Sequence, residues 1–110
     1  MSDEREARVG LNEALFREVN EQIRSLADDG DTRHETITVI CECADTDCTE
    51  RIELRLADYE RIRDESLLYI VATGHEVREA EVIIEQHDGW EVVRKIGVAG
   101  EVAEETDPRA

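Results

Sequence analysis

Ile40-Cys41-Glu42-Cys43-Ala44-Asp45-Thr46-Asp47-Cys48 holds all three cysteines of the 110-residue chain, in the spacing C-x-C-x4-C. A buried lone thiol is usually just a small hydrophobe. Three thiols in one acid-flanked loop are not explained by packing. Thiolates with one imidazole make a complete tetrahedral ligand set for zinc, so Cys41, Cys43 and Cys48 read as metal ligands for one Zn²⁺ per chain. A Cys43–Cys48 disulfide is geometrically feasible and leaves a redox switch as the alternative. The odd cysteine count argues against a purely disulfide framework.

The chain has three histidines for the fourth position, His34, His75 and His87. His87 falls at the tip of a hairpin. His34 precedes a strand at the end far from the loop. His75 follows an apolar strand and sits beside Gly74, where the backbone can approach closely. His75 is therefore the expected ligand, with Asp45, Asp47, Glu76 or a water as alternatives. Four protein ligands close a zinc site and make it structural; three leave a position for substrate. In that second case Glu76 is the candidate general base of a zinc-dependent hydrolase.

Outward from the loop, Thr36-Ile37-Thr38-Val39-Ile40-Cys41 is β-branched and reads as a strand. Residues i and i+2 of a strand share a face, so Cys41 and Cys43 can approach one ion. Arg51-Ile52-Glu53-Leu54-Arg55-Leu56 alternates charged and apolar residues and predicts a half-buried antiparallel partner. Residues 57–64 read as a short helix with Tyr59 and Ile62 facing the core. Residues 67–72 are apolar enough for a central strand. Glu81–Gln86 and Trp90–Ile96 flank His87-Asp88-Gly89, a strong hairpin signal.

Upstream, Leu11, Leu15, Val19, Ile23 and Leu26 form one apolar stripe at helical spacing. That predicts a helix packed on the sheet through this stripe, ended by Gly30, or else a helix that pairs with a partner or with its own copy. Residues 1–10 are expected to be disordered. Residues 11–99 are expected to form a single zinc-binding domain, and 100–110 a disordered acidic tail.

The formal net charge is −16, from 13 basic and 29 acidic residues. Such a surface repels phosphate backbones and anionic membranes, so neither nucleic acid nor membrane is expected as a partner. No apolar run approaches the ~20 residues of a transmembrane helix, and the charged N-terminus has no secretory h-region. The expected location is the cytosol, where thiols stay reduced. No Ser nucleophile elbow, Gly-rich phosphate loop or His-Glu-x-x-His helix is present.

The Cys₃His composition is similar to that of CDGSH-type iron–sulfur proteins. Here, however, Cys48 is followed by Thr49-Glu50 and His75 is distant, which argues against a cluster. Phe16-Arg17-Glu18-Val19-Asn20, Cys41-Glu42-Cys43, Cys48, Asp58-Tyr59-Glu60, Gly74-His75-Glu76, Val92-Val93-Arg94-Lys95 and Asp107-Pro108-Arg109 together resemble a group of small uncharacterised actinobacterial proteins. The resemblance spans nearly the whole chain and implies a free-standing small protein rather than a piece of an enzyme. Those proteins carry Thr before the short helix and Pro before the Gly-His-Glu turn. This chain has Arg55 or Leu56, and Thr73.

The fold expected is α+β: a long N-terminal helix on a mostly antiparallel sheet of about five strands, pinned at one end by zinc. The function expected is a non-catalytic interaction or regulatory module, acting on a protein partner or by self-association. A thiol-based redox or metal sensor is the main alternative.

Overall fold

A computed structural model describes residues 3–26 and 36–109. Gly30 and His34 lie outside the described residues. The elements run in the order α1 (Asp3–Leu26), β1 (Thr36–Ile40), β2 (Arg51–Arg55), α2 (Leu56–Arg63), β3 (Leu68–Ala72), β4 (Glu81–Gln86), β5 (Trp90–Lys95) and α3 (Gly97–Glu105). The α+β class follows the sequence pattern: every strand pairing among the described residues is antiparallel.

The strands form two sheets rather than one. β1 pairs with β2, and the second sheet has the order β3-β5-β4. β3 is therefore an edge strand and β5 the central one, although β3 is buried along its whole length. Its free edge is covered by the segment that follows β1. The Glu42 N–H donates to the Ile70 carbonyl at 2.8 Å, the Ile70 N–H to Glu42 Oε1 at 2.9 Å, and the Ala72 N–H to Cys41 Sγ at 3.2 Å. The cysteine loop is thus the seam between the two sheets.

Of the apolar stripe of α1, Ile23 packs against the core and Val19 is half-buried, but the leucines face outward. Leu11, Leu15 and Leu26 are exposed, at 56%, 58% and 87%. The buried face is Gly10, Glu13, Arg17 and Asn20. Polar side chains point inward because each finds a partner there. Glu13 and Glu81 both bind Lys95. Arg17 donates to the carbonyls of Ser66 (2.7 Å) and Ala103 (2.8 Å) and lies over the Tyr69 ring. Asn20 closes on Ile40, accepting its N–H and donating to its carbonyl. Gly10 lets α3 approach; a Cβ there would lie 3.1 Å from Val102 Cβ.

The described residues near both termini are more ordered than the composition suggests. Residues 3–10, expected to be disordered, belong to α1. The segment beyond Gly100 is not a disordered tail but the rest of α3, with Ala99, Gly100 and Ala103 buried. Small residues at these positions let the helix seat against its neighbours. Beyond it, Asp107 accepts from Ser66, and Arg109 binds Glu21 and Glu60. The short helix and the hairpin match expectation: Tyr59 and Ile62 are fully buried, and Gly89 turns the chain at φ +86°.

Two outcomes follow for stability. Leu15→Ala, measured on protein dilute enough to be monomeric, should change unfolding free energy by under about 0.5 kcal/mol, whereas Ile70→Ala, fully buried in β3, should cost about 2–5 kcal/mol; urea denaturation separates them. Arg61 donates to both oxygens of Glu85, at 2.8 and 3.0 Å. This tie, with His87 adding to it, holds the Glu85 carboxyl down to about 2. A folded-state value below the unfolded one means the tie stabilises above the ordinary carboxylate range and is lost as pH falls toward 2. Arg61→Ala should therefore cost under about 1 kcal/mol near neutral pH, and its deficit relative to wild type should shrink on acidification.

Candidate metal centre

Three segments converge at the seam. Cys41 and Cys43 follow β1, Cys48 precedes β2, and His75 follows β3. In the loop, the Asp45 carboxylate accepts the Asp47 N–H at 2.9 Å, and the Asp45 carbonyl accepts the Cys48 N–H at 3.0 Å. That Asx-type turn brings Cys48 back toward the first two thiols. On the other side, the Ala72 carbonyl accepts the His75 N–H at 3.0 Å. Gly74 occupies the third position of this turn at φ +87°, a conformation that favours glycine.

The donor atoms of Cys41, Cys43, Cys48 and His75 all lie within 4.8 Å of one another. His75 Nδ1 is 3.6 Å from Cys41 Sγ and 3.5 Å from Cys48 Sγ. A neutral imidazole nitrogen offers one lone pair and cannot accept a good hydrogen bond from two thiols at once. A metal at the common focus accounts for both contacts. With metal–sulfur bonds of about 2.3 Å and metal–nitrogen bonds of about 2.0–2.1 Å, a tetrahedral centre separates sulfur from nitrogen by about 3.5–3.6 Å. The residues fit a metal ion.

Electrostatics point the same way. Burial pushes the Cys41 and Cys43 thiols up, since a thiolate in a dry site has nothing to offset its charge. A coordinated cation reverses this and deprotonates the thiol. The Ala72 N–H on Cys41 Sγ further offsets thiolate charge.

The alternatives for the fourth position are not among the donors that converge. Asp45 and Asp47 are exposed and form the loop turn. The Glu76 carboxyl is held down by Glu91 and Arg78 beside it, and its Oε2 is buried without a hydrogen-bond partner among the described residues; the Glu91 carboxylate accepts the Gly74 N–H at 3.2 Å. His87 stacks on Trp90 with ring centroids 4.0 Å apart and bonds to Glu85. The three cysteines form no disulfide. A shallow cleft of about 230 Å³, lined by Cys43, Ala44, Asp45, Gly74, His75 and Val77, opens beside two of the four donors.

Glu42, between the two ligand cysteines, escaped the sequence reading. It is fully buried. Its Oε1 accepts from Arg63 at 2.8 Å and from Ile70, and its Oε2 accepts from Asn20 at 2.7 Å. The signal was available: in an extended Cys-x-Cys segment the middle residue points away from both sulfurs, here into the core. No family model, curated protein or solved structure matches the chain. No helix among the described residues is long and apolar enough to cross a membrane.

Glu42→Ala leaves Arg63 buried without its carboxylate while sparing all four donors. The expected cost is about 3–5 kcal/mol of unfolding free energy, with the metal stoichiometry of the folded protein unchanged.

Proposed function

We propose that this chain is a small zinc-stapled module that acts by binding a protein partner, not by catalysis. The observation that carries the metal reading is the pair of contacts from one His75 nitrogen to the sulfurs of Cys41 and Cys48. Thiolate and imidazole donors in a tetrahedral array favour Zn²⁺ in a reducing cytosol, which is the compartment assigned here. With four protein donors bound, no coordination position is left for substrate. The ion would supply structural cross-linking between the two sheets. The net charge of −16 favours a protein partner over nucleic acid or an anionic membrane.

A second reading, a metal or redox sensor, draws on the cleft beside Cys43 and His75, which gives a chelator or oxidant a route to the donors. The two differ in how readily the ion leaves.

Protein purified without added metal should carry one zinc per chain by elemental analysis and native mass spectrometry. It should keep that zinc through dialysis against a weak chelator. His75→Ala should lose zinc and unfold at lower temperature, because structural zinc contributes an apparent ~10–16 kcal/mol in small domains. His87→Ala should do neither. A metal-free folded protein with three titratable thiols would overturn the zinc assignment, and rapid loss of zinc to the weak chelator would favour the sensor.

A further inference from the structure

On α1, positions 4, 8, 11, 15, 18, 22 and 25 recur at alternating intervals of four and three, and every one is exposed. This is the seam spacing of a helix that lies along another helix. Its apolar members are adjacent: Leu11 and Leu15, 56% and 58% exposed. Arg8 stands three residues before Leu11 and Glu18 three residues after Leu15. The seam is thus an apolar pair flanked symmetrically by opposite charges.

We propose that α1 pairs antiparallel with α1 of a second copy of this chain, about a two-fold axis at the height of residue 13. Reversing the helix about that point exchanges Leu11 with Leu15 and Arg8 with Glu18. Each Leu11 then meets Leu15 of the second copy, and each Arg8 meets Glu18 of the second copy. A parallel pair would set Arg8 against Arg8 and Glu18 against Glu18, so charge fixes the direction. At the outer end, Glu4 falls opposite Gln22, with no like-charge contact. Ala14, beside the seam, lets the helices approach closely. A helix of 24 residues is about 36 Å long, ample for the pairing. The self-complementary pattern is that of an isologous two-fold interface. The like net charge of the two copies opposes their encounter and is screened at about 0.15 M salt.

None of the four donors lies on α1, and the inference does not depend on the ion. Sedimentation equilibrium of the full chain, at about 0.15 M salt and up to about 1 mM protein, should give twice the 12.5 kDa of one chain. Leu15→Glu should sediment as a monomer with unchanged circular dichroism and metal content. Arg8→Glu and Glu18→Arg should each weaken association by about tenfold or more, and the double variant should restore it. A monomer throughout, a dimer indifferent to Leu15→Glu, or a double variant that stays dissociated would overturn the proposal. Metal content measured on the same samples separates this outcome from any failure of the zinc reading.

Discussion

β3 is buried on both faces, yet only one of its edges is paired with a strand. Buried backbone groups left without partners cost free energy comparable to a lost hydrogen bond, so the second edge has to be answered. Cys41-Glu42-Cys43 answers it with one backbone N–H, one carboxylate oxygen and one sulfur, and Arg63 adds a bond to the Leu68 carbonyl at 3.3 Å. An irregular segment thus does what a sixth strand would do. Because it is irregular, it can also leave the sheet direction and turn its sulfurs outward toward His75.

The same demand explains the inside-out helix. Covering an edge with a carboxylate places Glu42 in the core, and a buried charge requires partners. Arg63 and Asn20 supply them. Three buried cations, Arg17, Arg63 and Lys95, lie among the buried carboxylates Glu13, Glu42 and Glu81. Tyr69 sits between Arg17 and Lys95, its ring facing both. α1 brings three of these polar groups, so its polar face must turn inward. Its leucines are left outside because a helix has only one face to give.

The sequence displayed the strands, the short helix, the hairpin and the thiol cluster plainly, and left His75 as one of several candidates for the fourth position. Alternation in Arg51–Arg55, the Asp-Gly turn and the thiol spacing are local signals with local causes. It concealed the helix orientation, because periodicity shows that two faces differ, not which one is inside. Hydrophobicity assigned Leu11 and Leu15 inward; the buried ion pairs, formed with residues as distant as Lys95, overrode it. The C-terminal helix was hidden for a related reason. Its composition is acidic overall, and the small residues that seat it, Ala99, Gly100 and Ala103, carry little hydrophobic signal of their own.

The metal reading and the polar core describe one device seen from its two sides. Cys41 and Cys43 turn one way and Glu42 the other, so the same three residues carry two of the four clustered donors and the centre of the buried hydrogen-bond network. Without a cation, burial keeps the Cys41 and Cys43 thiols protonated, and the Cys41 sulfur becomes a weaker acceptor for the Ala72 N–H. The free edge of β3 then loses part of its cover at the point where the Glu42 bonds begin. An ion bound by these four residues would therefore strengthen more than its own four bonds. It would hold the geometry in which the Glu42 carboxylate reaches Arg63, Asn20 and Ile70 together, and through Asn20 it would reach α1. Metal binding and helix docking would in this way be linked through Glu42, alongside the direct bonds of Asn20 to Ile40 and of Asn12 to the Ala44 carbonyl.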